Sequence, residues 1–209
     1  ALVVAAGLFL GVNIVAAWGL RGWRVDFTAD RLHTLAQGTL NTLAGLAQLP
    51  DVPPPAGTPA TTLELTERLV AGLPAREQAI MRAFASAPRT PSEVFDFAKA
   101  WSDLFWNTMQ DLRGAYDRLN LWHAGGFGDS ALRGLLNSWQ ISLDETQRLW
   151  QTRSAPKEAL RLHLRALPAD QPVSVHVMTE ALRQSASYAV HIAFAIRFAE
   201  EARGTIGRL

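Results

Sequence analysis

Residues 1–20 carry no charged side chain, and all 20 Lys and Arg and all 19 Asp and Glu of the chain follow them. A helix rises about 1.5 Å per residue, so about 20 apolar residues suffice to cross a hydrocarbon core of about 30 Å. This match of length and charge gap constrains the chain more than any motif does. Asn13 is the one strongly polar side chain in the segment, and Trp18 and Trp23 stand at its C-terminal edge, where amphipathic rings favour the membrane–water boundary. Arg21 and Arg24 alternate with them. The leading expectation is a transmembrane helix over residues 1–20. Two readings compete with it. A cleaved signal peptide has an apolar region of about 7–15 residues behind a charged leader, which fits less well. A helix buried in a soluble protein is the other. Arg21 and Arg24 alone would place the following domain on the cytoplasmic side.

The net charge is +1 and gives no pull toward nucleic acid or any strongly acidic partner. The remaining residues suffice for one domain with its own core. With no cysteine, disulfides, thiol catalysis and thiolate metal sites are excluded. The sequence divides into the anchor over 1–20, a juxtamembrane module over 21–47, a linker over 48–62 and a helical bundle domain over 63–209. The linker holds five prolines, at 50, 53, 54, 55 and 59, and such a stretch is extended and semi-rigid.

Helix-start signals recur after the linker. Thr61 and Glu64 have capping-box spacing, as do Thr90 with Glu93 and Ser142 with Glu145. Pro74 suits a first helical position, Ser154 with Pro156 would open another helix, and Asp170 with Pro172 the last. From residue 91 to 123 the positions Val94, Ala98, Trp101, Phe105, Thr108, Leu112, Ala115, Leu119 and Trp122 alternate steps of four and three. That is a heptad seam. Leu104, Met109 and Tyr116 widen it, so the helix should meet more than one neighbour. The glycines at 125, 126 and 128 would end it. A second seam, Met178, Leu182, Ser185, Ala189, Ile192, Ile196 and Ala199, has a companion face of Tyr188, Val190, Phe194 and Phe198. This helix should be central in the bundle. The alternation over residues 173–177 leaves a short strand as an alternative to its first turn. The fold class is therefore all-α: a single N-terminal transmembrane helix followed by a bundle of about five to seven helices.

Residues 20–46 read LRGWRVDFTADRLHTLAQGTLNTLAGL. The positions Asp26, Thr28, Leu32, Thr34, Leu35, Gly38 and Thr39 carry a pattern that resembles the N-terminal anchor segment of the gliding-motility-associated ABC transporter auxiliary family. The resemblance covers only this segment. It implies a bacterial inner-membrane location, a single pass, a chain whose bulk is periplasmic, and an ABC-type transporter as associate. In that family an α/β domain follows, whereas here a proline-rich linker and helices follow.

Chemistry is sparse. The five histidines, 33, 123, 163, 176 and 191, lack the helical spacing that places two metal ligands on one face. No nucleophile elbow, phosphate loop or dinucleotide fingerprint occurs. No catalytic residue, cofactor or metal is implied. Arg153, Lys157, Arg161 and Arg165 form a basic stripe opposite Leu160, Leu164 and Leu167, which reads as a solvated face or as a contact for lipid headgroups or an acidic partner. Trp106 falls off the heptad seam, flanked by Phe95 and Phe97, and reads as part of a wide core or of a docking surface. The expected function is a non-enzymatic accessory or scaffold subunit of a membrane-protein complex that contacts lipid and other subunits and no nucleic acid. The alternative is an enzyme or ligand carrier with a polar site between helices near His176 and His191, beside Tyr188.

Overall fold

The structure is a computed structural model that describes residues 30–47, 60–124 and 130–206. The expected anchor with Trp18, Arg21, Trp23 and Arg24, the motif positions Asp26 and Thr28, most of the proline-rich linker and the glycine turn at 125–128 lie outside the described residues. Those residues form α1 (30–47), α2 (Ala60–Val70), α3 (Ala75–Ala85), α4 (Pro91–Ala124), α5 (Ser130–Ala166) and α6 (Val175–Ile206). The protein is all-α, with no strand among the described residues. None of these helices is long and apolar enough to cross a membrane.

The long helices α4, α5 and α6 contain 34, 37 and 32 residues, about 50 Å each. They pack on one another, and α6 also meets α2 and α3, so it is the central helix its two apolar faces foretell. The pairs Arg113–Gln147, Tyr116–Gln140 and His123–Arg133 ascend along α4 as they descend along α5, which makes those two helices antiparallel.

The α4 seam is where the heptad puts it. Val94, Trp101, Phe105, Thr108, Leu112, Ala115 and Leu119 are all buried, and Ala98 is half-buried. The N-terminus of α4 has the expected capping box. The Glu93 carboxylate accepts from the Thr90 amide at 2.8 Å, and the Thr90 hydroxyl accepts from the Glu93 amide at 3.4 Å. These bonds, with Arg89 nearby, hold the Glu93 carboxyl below its ordinary range against the opposing effect of burial. Phe97, one step beside the seam, is fully buried and stacks on Phe84 of α3 with ring centroids 3.8 Å apart. It is core rather than docking surface.

The core has two parts. One joins α1, α2, α3 and the first halves of α4 and α6 with Leu160 and Leu164 of α5. The other joins Leu32 of α1 with Leu112, Leu119, Leu132, Leu136 and Trp139 and with Ala195 and Ala199 of α6. Residues 30–47 therefore share the bundle's core, and Arg31 pairs with Asp111 at 3.2 Å. Among the described residues, none in the short helices α2 and α3 belongs to the second part. The companion face of α6 is accordingly uneven: Tyr188 is buried, whereas Val190 and Phe194 stand exposed.

Four expected helix boundaries are corrected. Ser142 with Glu145, and Ser154 with Pro156, do not open helices, because α5 runs unbroken through both. Proline inside a helix removes one backbone bond and crowds the preceding turn. Here Leu143, Leu160 and Leu164 on either side are buried and Trp150 packs against the core, so tertiary burial overrides the local signal. The last helix is opened by Ser174 and not by Asp170 or Pro172: the Ser174 hydroxyl accepts from the Val177 amide at 3.4 Å and its carbonyl from the Met178 amide at 3.0 Å. The alternation at 173–177 is the lead-in and first turn of α6, with the Val173 amide donating to the Arg89 carbonyl at 2.8 Å. Pro74 sits at the cap of α3, one position earlier than expected, and its carbonyl accepts from the Gln78 amide at 3.0 Å.

Candidate binding clefts between the long helices

Phe105 and Trp106 are consecutive on α4, so a helical step of about 100° separates their directions. Phe105 follows the seam inward and is buried. Trp106 turns to the α4–α5 edge and is 44% exposed. Trp150 of α5 rises between them, its ring 5.7 Å from Phe105 in a stacked arrangement and 4.9 Å from Trp106 in a tilted one. Tyr188 of α6 continues the row at 5.0 Å from Phe105. Four aromatic rings from three helices thus form one continuous array.

The open end of this array floors a cleft of about 540 Å³ between α4 and α5. Met109 and Leu143 complete its apolar wall, and Gln110, Gln147 and Gln151 line it with side-chain amides. Arg113, on the same wall, donates to the Gln147 carbonyl oxygen at 3.2 Å. An apolar floor with a rim of neutral donors and acceptors suits a peptide segment or another helix, since aromatic rings supply the contact area and the amides adapt to backbone groups.

The basic stripe does not stay together. Lys157 turns inward, where its Nζ donates to the buried Ser102 hydroxyl at 2.7 Å and lies 5.0 Å from the centre of the Trp150 ring. Arg161 pairs with Glu158, its Nε donating to Oε2 at 2.8 Å. Arg165 is exposed, and Arg153 lies on the same helix, α5. The opposite face behaves as expected, with Leu160 and Leu164 buried and Leu167 half-buried. Lys157 and Arg161 border a second cavity, of about 310 Å³, among α4, α5 and α6.

His176 and His191 do not meet. Both lie on α6, fifteen positions and so about 22 Å apart along the axis. His176 is exposed. His191 is half-buried, with Nδ1 2.9 Å from the Ser187 carbonyl oxygen and its ring edge toward Phe105. A carbonyl only accepts, so that nitrogen carries the hydrogen. The two histidines named for the alternative reading are therefore not brought together. Among the described residues no group of three or more His, Asp or Glu is placed to hold a metal.

Of the motif positions, Leu32 is buried against Leu112 and Leu119, Leu35 and Thr39 are half-buried, and Thr34 and Gly38 are exposed. Leu32, Leu35 and Thr39 thus lie toward the bundle, while Thr34 and Gly38 lie off that face.

Two groups escaped sequence reasoning. Arg89 is almost completely buried and donates to the carbonyls of Phe84 at 3.1 Å, Ala83 at 3.3 Å and Ala47 at 2.9 Å. Glu77 is buried in the first turn of α3, and burial pushes its carboxyl above the ordinary range. The only advance signal for Arg89 was its place just before the Thr90 cap.

Comparison with known protein families, with curated proteins and with solved structures finds no match to this chain.

Proposed function

We propose that the chain is a non-enzymatic accessory subunit, held at a bacterial inner membrane by residues 1–20, whose periplasmic bundle receives a segment of a partner membrane protein in the α4–α5 cleft. The observation that carries this reading is Trp106, a large aromatic ring left 44% exposed over a cleft of about 540 Å³ whose floor it shares with Trp150. Tryptophan at the centre of an apolar pocket is the residue type that most often dominates binding energy. The uncharged stretch supports the membrane location. The resemblance of residues 20–46 supports an ABC-type transporter as the partner.

The test is purification of the full chain from membranes in mild detergent, with and without Trp106→Ala. The expected result is a co-purifying membrane protein, depleted about tenfold by the substitution. A chain that elutes alone from its native membrane overturns the reading. Carbonate extraction examines the anchor separately, because an integral helix stays with the pellet.

A further inference from the structure

The second cavity differs from the Trp106 cleft in kind. Its walls are Phe95 and Ala98 of α4 and Leu160 and Leu164 of α5, and the buried Gln184 of α6 closes it. Charged side chains stand at its edge in an unequal set. Lys99 is matched by Asp103 and Arg161 by Glu158. Lys157 makes no carboxylate pair within 4.0 Å among the described residues.

We propose that this cavity binds a small organic carboxylate, with its apolar body between Phe95 and Leu164 and its carboxylate on the Lys157 ammonium. Lys157 is held for that task. One of its three N–H donors goes to Ser102 at 2.7 Å, and its Nζ lies over the Trp150 ring. Both contacts fix the ammonium without neutralising it. An incoming carboxylate supplies the missing charge and a charge-assisted bond, while the ligand's apolar body displaces water from the walls. The excess of one cation over the paired carboxylates selects a monoanion over a dianion or a neutral molecule. The two pockets share no lining residue, so failure of this site would leave the accessory-subunit reading untouched.

The experiment is calorimetric titration of the full chain in detergent with 2-naphthoate and with its uncharged counterpart 2-naphthamide. Naphthoate is expected to bind about tenfold or more tightly than the amide. Lys157→Gln is expected to erase that difference, and Lys157→Arg, which keeps the charge, to retain most of it. Equal affinity of the wild-type chain for the two probes overturns the proposal, as does absence of naphthoate binding. So does a Lys157→Gln variant that keeps the preference. The wild-type comparison decides the matter even if the Gln variant fails to fold.

Discussion

The guanidinium of Arg89 reaches the carbonyl oxygen of Ala47, forty-two residues earlier in the chain, at 2.9 Å. Ala47 is the last described residue of α1, and Ala83 and Phe84, which accept from the same guanidinium, lie in the last turn of α3. Carbonyls at helix C-termini lack intrahelical donors and carry the negative end of the helix dipole. One buried cation therefore bonds the C-terminal end of α3 and the Ala47 carbonyl of α1, stacks over the Phe84 ring at 4.9 Å and pairs with Glu93 of α4 at 3.6 Å. Its own carbonyl takes the lead-in to α6. Three helices, α1, α3 and α4, meet at this side chain, and the lead-in to α6 joins at its backbone.

Replacing Arg89 by Met should cost about 3–5 kcal/mol, because it removes the buried charge-assisted bonds to the Ala47, Ala83 and Phe84 carbonyls that tie α1 to α3. Lys should restore little, since an ammonium cannot span carbonyls arranged for a planar fork. Urea unfolding checks the loss, and hydrogen exchange should show α1 losing protection first. A loss under about 1 kcal/mol would contradict the role assigned to this residue.

Glu77 should make stability fall as pH rises. Burial raises its carboxyl above the ordinary value, so the folded chain binds the proton more tightly than the unfolded one. Its stabilising, protonated form is complete below the ordinary carboxylate value and is lost as pH climbs through the raised one. Glu77→Gln removes the titration. Its advantage over the wild type should be near zero in acid and grow toward neutral pH. A difference in unfolding free energy that stays flat across that range would show that the carboxyl is not desolvated as described.

Pro156 interrupts the backbone bonding of α5, where its missing N–H leaves the Thr152 carbonyl without its usual donor. Pro156→Ala restores the donor and relieves crowding. It should raise stability by about 1–3 kcal/mol, read from the denaturant midpoint at unchanged slope. Destabilisation would mean that packing around the ring outweighs the lost bond.

Phe97→Ala should cost about 3–5 kcal/mol, since it empties a fully buried ring position stacked on Phe84. Trp106→Ala, by contrast, should cost less than about 1.5 kcal/mol while depleting the co-purifying partner. Thermal unfolding of the two variants side by side separates core from docking ring. Comparable losses would place Trp106 in the core and remove its claim to a partner.

The α4 seam was readable because its information is local: apolar residues at steps of four and three define one face whatever that face meets. The Thr90–Glu93 cap was readable for the same reason, as both partners lie within one turn. The unbroken course of α5 was not, because the signals at Ser142 and at Ser154 with Pro156 are themselves local and only burial of the flanking leucines overrides them. Lys157 looked like a member of a solvated stripe, since Arg161 and Arg165 follow it at helical spacing. Its inward turn depends on Ser102, fifty-five residues away.

What the sequence determined by itself was an all-α chain with an uncharged N-terminal stretch, a heptad-bearing α4 and a central α6. Periodicity and the charge gap settle those without reference to contacts. Only the tertiary structure decided that α1 joins the core through Leu32, that Arg89 ties α1 to α3, and that the Trp150 ring meets both Trp106 and Lys157. Each of these depends on which distant side chain arrives opposite, a relation fixed by packing geometry and burial and carried by no short segment of the chain.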